Sequence, residues 1–158
     1  MLPHVLLKLF NELVDGSAEQ AAWVLNPLDP GLMRSLETLS AAQASAVPPG
    51  GGASIAAHVD HLRYGLELLN RWSRGEEPFA EADYSASWHL ITVSEAEWAS
   101  RRHALAREAY AWRDALSQPR ELDATELAGL VASIVHLAYH LGAMRQIDRT
   151  MRGPAAQD

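Results

Sequence analysis

The chain has 158 residues, 48% of them hydrophobic, which suits one ordinary domain with enough apolar side chain for a buried core. Its 13 Lys and Arg stand against 20 Asp and Glu, a net charge of −7, so the surface repels a phosphate backbone and no nucleic-acid partner is expected. Cysteine is absent, which excludes thiolate nucleophiles, disulfides, iron–sulfur clusters and cysteine zinc sites, and leaves His and carboxylate as the metal ligands on offer.

From the amino end, Leu2, Val5, Leu6, Leu9 and Leu13 recur at helical spacing among Pro3, Lys8, Asn11 and Glu12, with no small-residue cleavage site. Residues 1–26 therefore read as a short helical extension ahead of the main domain. After Asn26-Pro27 and Asp29-Pro30, the stretch Gly31 to Ala46 sets Leu32, Leu36 and Leu39 on one stripe and is expected to be the first bundle helix. Pro48-Pro49-Gly50-Gly51-Gly52 ends it. The second helix runs from Ser54, a suitable N-cap, through Ile55, Val59, Leu62, Leu66 and Leu69 to a stop at Gly75. The link from Gly75 to Val93 holds Phe79, Tyr84 and Trp88; it is too long for a tight turn and is expected to pack as a crossover. Ser94 with Glu97 forms a capping-box pattern ahead of Trp98, Leu105, Ala109, Trp112 and Leu116, until Pro119 breaks the third helix. Asp123 with Glu126 opens the fourth, in which Leu127 to Ile147 is apolar nearly all round and so reads as buried by its neighbours, with Gly153-Pro154 beyond it. No segment alternates with a two-residue period. The expected fold is all-α, a single domain over 1–158 whose four-helix bundle core spans 28–150. No run approaches 18 uninterrupted apolar residues, so no membrane span is expected, and the cytoplasm is the default location.

His136 and His140 stand four residues apart on the fourth helix, so they project from one face one turn apart, as two ligands of a single metal must. Their neighbours Ile134, Val135, Leu137, Ala138, Leu141 and Met144 are apolar, and two imidazoles in such surroundings need a partner to offset desolvation. On the second helix His58 and His61 share a stripe with Gly65, Leu68 and Trp72, so either can point into the bundle; Gly65 leaves room beyond His61. His58 can equally be a donor behind the ligands, a pocket residue or an imidazole at the bundle mouth. His4, His89 and His103 have no partner at ligand spacing. Trp72, Trp98 and Trp112 fall on apolar stripes and read as core, whereas Tyr84 and Trp88 on the long link, with Tyr139 beside His140, are candidates for a pocket or for support behind the ligands.

The segment Ser54-Ile55-Ala56-Ala57-His58-Val59-Asp60-His61-Leu62 resembles the DinB-like (YfiT-like) signature, in which a Ser opens the second helix and a His seven residues on precedes Leu. His136-Leu137-Ala138-Tyr139-His140-Leu141-Gly142 resembles the same family's closing motif, and Trp88 with Val93-Ser94 and Trp98 is similar to its approach to the third helix. The resemblance covers roughly residues 28 to 150. It implies a bundle with a divalent metal, zinc or nickel, on His61, His136 and His140. It also implies a small-molecule substrate, with a low-molecular-weight thiol cosubstrate in some relatives. One departure stands out: the family often has Gln after the closing Gly, where this chain has Ala143, with Gln146 one turn later. Leu137 in place of the Glu of H-E-x-x-H removes the general base of a zinc protease. A metal on three neutral imidazoles keeps positions open for water, thiol or substrate, so a hydrolase or a thiol S-transferase is expected. The alternative is a non-catalytic bundle, metal-bound or not, that forms a homodimer through an apolar helix face.

Overall fold

Leu6, Phe10, Leu13 and Val14, spaced at one helical turn, are all buried on one face of helix α1 (Leu2–Asp15). That face packs on α5 (Glu95–Ser117) and α6 (Ala124–Ile147), which in turn both pack on α4 (Ile55–Ser73). The ring α1, α5, α4, α6 is a four-helix bundle in a computed structural model that describes residues 2–17, 22–89, 92–118 and 121–152. The expected stops at Pro119 and at Gly153-Pro154 lie outside the described residues.

Two expectations need correction. Residues 31–46 do not form the first bundle helix: they form two short helices, α2 (Leu32–Glu37) and α3 (Ala41–Ser45), and α1 takes the fourth wall instead. The cause of the break is local. Ser40 caps α3 by accepting from the Gln43 amide while the Gln43 side chain accepts from the Ser40 amide, so a new helix begins where the old one would have continued. Nor is α6 covered on every side, since Val131, Val135 and Tyr139 are 42%, 61% and 69% exposed. Among the described residues α6 is also the one helix long and apolar enough to cross a membrane; its inner face supplies Leu130, Ile134, Leu137, Leu141 and Met144 to the core.

The expected starts at Ser54, Ser94 and Asp123 and the stop at Gly75 hold. Ser54, Ser94 and Asp123 each accept a backbone N–H of the helix they open, the last two with reciprocal Glu97 and Glu126, and Gly75 follows α4 at φ +86. Trp98 and Trp112 are buried, donating from their indole N–H to the Leu39 carbonyl and to Ser133 Oγ, the second bond joining α5 to α6 across the core. The long link lies on α4 through two 3₁₀ turns, Pro78–Glu81 and Ala86–His89, and the second is pinned there by Ser87 donating to Asp60.

Candidate metal centre

Helices α4 and α6 run side by side, and each turns two histidines toward the other. The spacing of His58 and His61, three residues, and of His136 and His140, four, keeps each pair on one helix face. Nε2 of His136 lies 2.9 Å from Nε2 of His140 and 3.1 Å from Nε2 of His61. One nitrogen from each of these three rings falls within 4.8 Å of the others. His61 and His140 are buried and His136 is half-buried.

Burial and mutual repulsion keep these rings neutral. Desolvation lowers the pKa of all four imidazoles, and added repulsion brings His61 down to about 4, mainly from His136 and then His58, and His140 down to about 3, from His136, His58 and His61. A neutral imidazole carries one N–H and one lone pair. His140 uses its other nitrogen, Nδ1, at 2.8 Å from Nδ1 of His58. If His140 donates there, its Nε2 turns a bare lone pair toward His136, where a cation relieves the crowding of lone pairs. Nδ1 of His61 is buried with no partner at hydrogen-bond geometry, although the Tyr84 main chain lies close enough to favour the proton slightly.

The residues present fit a divalent ion. Two imidazole nitrogens each about 2.0–2.1 Å from a tetrahedral zinc stand about 3.3 Å apart, close to the 2.9 and 3.1 Å that separate His136 Nε2 from those of His140 and His61. The donor set is three neutral nitrogens, the protonation state that metal binding requires. His61, His136 and His140 could therefore hold one, as the motif comparison implies.

Of the other residues read from the sequence, Trp88 stacks on His61 with ring centroids 4.4 Å apart and meets His58 edge-on at 5.5 Å, while Tyr84 lies 5.9 Å from His61. Tyr139 is different: it is 69% exposed on α6 and meets His140 edge-on with ring centroids 5.0 Å apart, and it is not among the residues lining the cavity beside His61 and His136. Gln146 accepts from Arg152 on the surface and takes no part in the site. His4, His89 and His103 are exposed. Asp60, the carboxylate whose charge acts on His61, is engaged by Arg63, Arg101 and Ser87. It is not a free base.

Beside His61 and His136 a cavity of about 420 Å³ opens between α4, α6 and the link. Phe79, Gly129 and Ser133 line it and were not read as site residues from the sequence. For two of them the signal was there: Gly129, Ser133, His136 and His140 step along α6 by four, three and four residues, one face of the helix. Phe79 reaches the cavity only because the link folds back on α4, which periodicity does not report.

Among known proteins, the family model described as the DinB superfamily matches residues 31–144. No curated protein and no solved structure matches the chain.

Proposed function

The chain belongs to the DinB superfamily, and on that premise we propose that it is a metal-dependent enzyme acting on a small molecule, a hydrolase or a thiol-dependent S-transferase. His61, His136 and His140 are the ligands of one zinc or nickel ion in this reading. The observation that carries it is the convergence of three neutral imidazoles at the edge of a cavity large enough for a small molecule. When bound, such an ion lowers the pKa of a coordinated water or thiol and polarises an incoming substrate. The protein's own share is to hold three lone pairs on one point, to keep water away with Trp88 stacked over His61, and to fix His140 through His58. Among the described residues the lining of the cavity holds no carboxylate to serve as general base, and the chain has no thiol of its own, so any thiol arrives as cosubstrate. The test is metal analysis of protein purified without an affinity tag, followed by hydrolysis and thiol-transfer assays with cellular thiols. One equivalent of ion and turnover that a chelator abolishes are expected; a chain that takes up no transition metal even after supplementation overturns the reading.

We infer also that two copies pair through the outer face of α6, a proposal carried by its exposed apolar stripe. From Leu127 to Met144 this helix has no charged residue, and Val131 and Tyr139 stand at equal distance on either side of Val135. An antiparallel pair centred on Val135 is self-complementary, as a two-fold interface requires, and sets the acidic first turn at Asp123 and Glu126 toward the basic end at Arg149.

A further inference from the structure

The cavity beside the histidines is bounded by side chains that carry no charge: none of its lining residues is Asp, Glu, Lys or Arg. Leu66, Leu69, Phe79 and Leu137 form apolar walls, and the two glycines Gly65 and Gly129 leave open the space that side chains on α4 and α6 would otherwise fill. A Cβ on Gly65 would rest 3.8 Å from the His136 ring, and one on Gly129 3.5 Å from the Trp72 ring, ordinary contacts in both cases. The missing side chains are therefore not demanded by backbone crowding, and both glycines sit inside long helices where glycine is unfavourable. What they provide is room.

The polar groups at hand are few. Ser133 is already committed, donating to the Leu130 carbonyl and accepting from the Trp112 indole. Tyr84 is a neutral phenol, its pKa pushed further up by burial and by Tyr64. Arg63 on α4 and Arg101 on α5 are held by Asp60, and Arg63 by Glu67 as well. A carboxylate or phosphate deep in this space would shed its water without meeting a cationic side chain.

We propose that this cavity receives an uncharged, apolar group of the substrate, one or two rings in size, with the reacting atom left at the His61 and His136 edge. The inference rests on the metal-enzyme reading above and deepens it by naming the chemical class of the group that occupies the cavity.

The test uses the full chain stripped of metal, so that no bound cation can recruit an anion, and the neutral fluorescent naphthalene 6-propionyl-2-dimethylaminonaphthalene as the probe. The probe should bind, and 2-naphthalenemethanol should displace it at least tenfold better than 2-naphthoate. Gly65→Leu, which fills the space while improving the helix, should weaken the probe at least tenfold with an unchanged melting temperature. Ala132→Phe, at the exposed side of the lining, supplies a second variant should the first fail to fold. Equal competition by the naphthoate, or unaltered probe binding in both variants, overturns the proposal. Zinc uptake by the same protein is read separately: zinc without probe binding sinks the substrate class alone, while probe without zinc sinks the metal reading.

Discussion

His58 stands behind the candidate ligands and shapes how one of them presents itself. A ring bound through Nε2 must carry its proton on Nδ1, and His140 Nδ1 has His58 Nδ1 at 2.8 Å to receive it. His58→Leu removes that acceptor and should weaken zinc binding about tenfold to a hundredfold, whereas His58→Asn, whose amide oxygen can accept in the same place, should stay near the parent. Isothermal titration of the two variants decides; equal loss in both shows that His58 only fills space. His140→Ala should cost far more affinity, because a direct ligand is gone. The fold should persist, since the void in a bundle held by apolar stripes costs about 1 to 3 kcal/mol and Ala suits a helix. Circular dichroism with metal analysis reads both, and an unfolded variant shows the site to be structural. The lowered pKa values also set a pH dependence. An unfolded histidine titrates near about 6.5, but folded His61 and His140 resist the proton until about 4 and about 3. Between these limits the unfolded chain binds more protons, so the metal-free protein is most stable above pH about 6.5 and loses stability as pH falls toward 4. Thermal melts of metal-free protein at falling pH should show this slope, and the double variant His61→Gln with His140→Gln should flatten it; an equal slope in both removes the histidines as its origin.

The elements before residue 31 lie outside the family match, yet α1 is a wall of the bundle. Its attachment is built from buried polar contacts. Glu12 accepts from the consecutive amides of Trp23, Val24 and Leu25, which ties residues 23–25 to α1. At Gly31 a side chain would collide with the backbone of Val14 and Gly16, so the end of α1 and the start of α2 cross at glycine contact. Asp29 then pairs with Arg145 of α6 at 3.0 Å, and the same guanidinium donates to the Pro30 carbonyl. Asp29 is 3% exposed, so Asp29→Ala leaves a largely buried cation unpaired and should cost about 3–5 kcal/mol in urea unfolding. Replacing both partners, Asp29→Leu with Arg145→Met, should recover most of it; a single variant as stable as the parent would show the pair to be solvated in practice. The break between α2 and α3 was legible after all, in the Ser40-Ala41-Ala42-Gln43 capping pattern, but the apolar stripe running through it pointed to one continuous helix.

At the scale of the molecule, the exposed stripe Val131, Val135 and Tyr139 sets the expected assembly. A charge at its centre, Val135→Glu, should convert a dimer to a monomer in light scattering and leave zinc binding unchanged; a parent chain that is monomeric at all concentrations sinks the pairing proposal. What the sequence by itself determined is what repeats or recurs locally: the caps at Ser54, Ser94 and Asp123, the all-α period, and the pairing of His136 with His140 on one face, because each depends on residues within about one turn of each other. Only the tertiary structure decided which helices form the ring, that His61 meets His136 while His58 meets His140, and that Phe79 and Trp88 close over α4. Those contacts join residues far apart along the chain. They depend on how whole helices rotate and approach, a choice made by summed side-chain packing that no short spacing records.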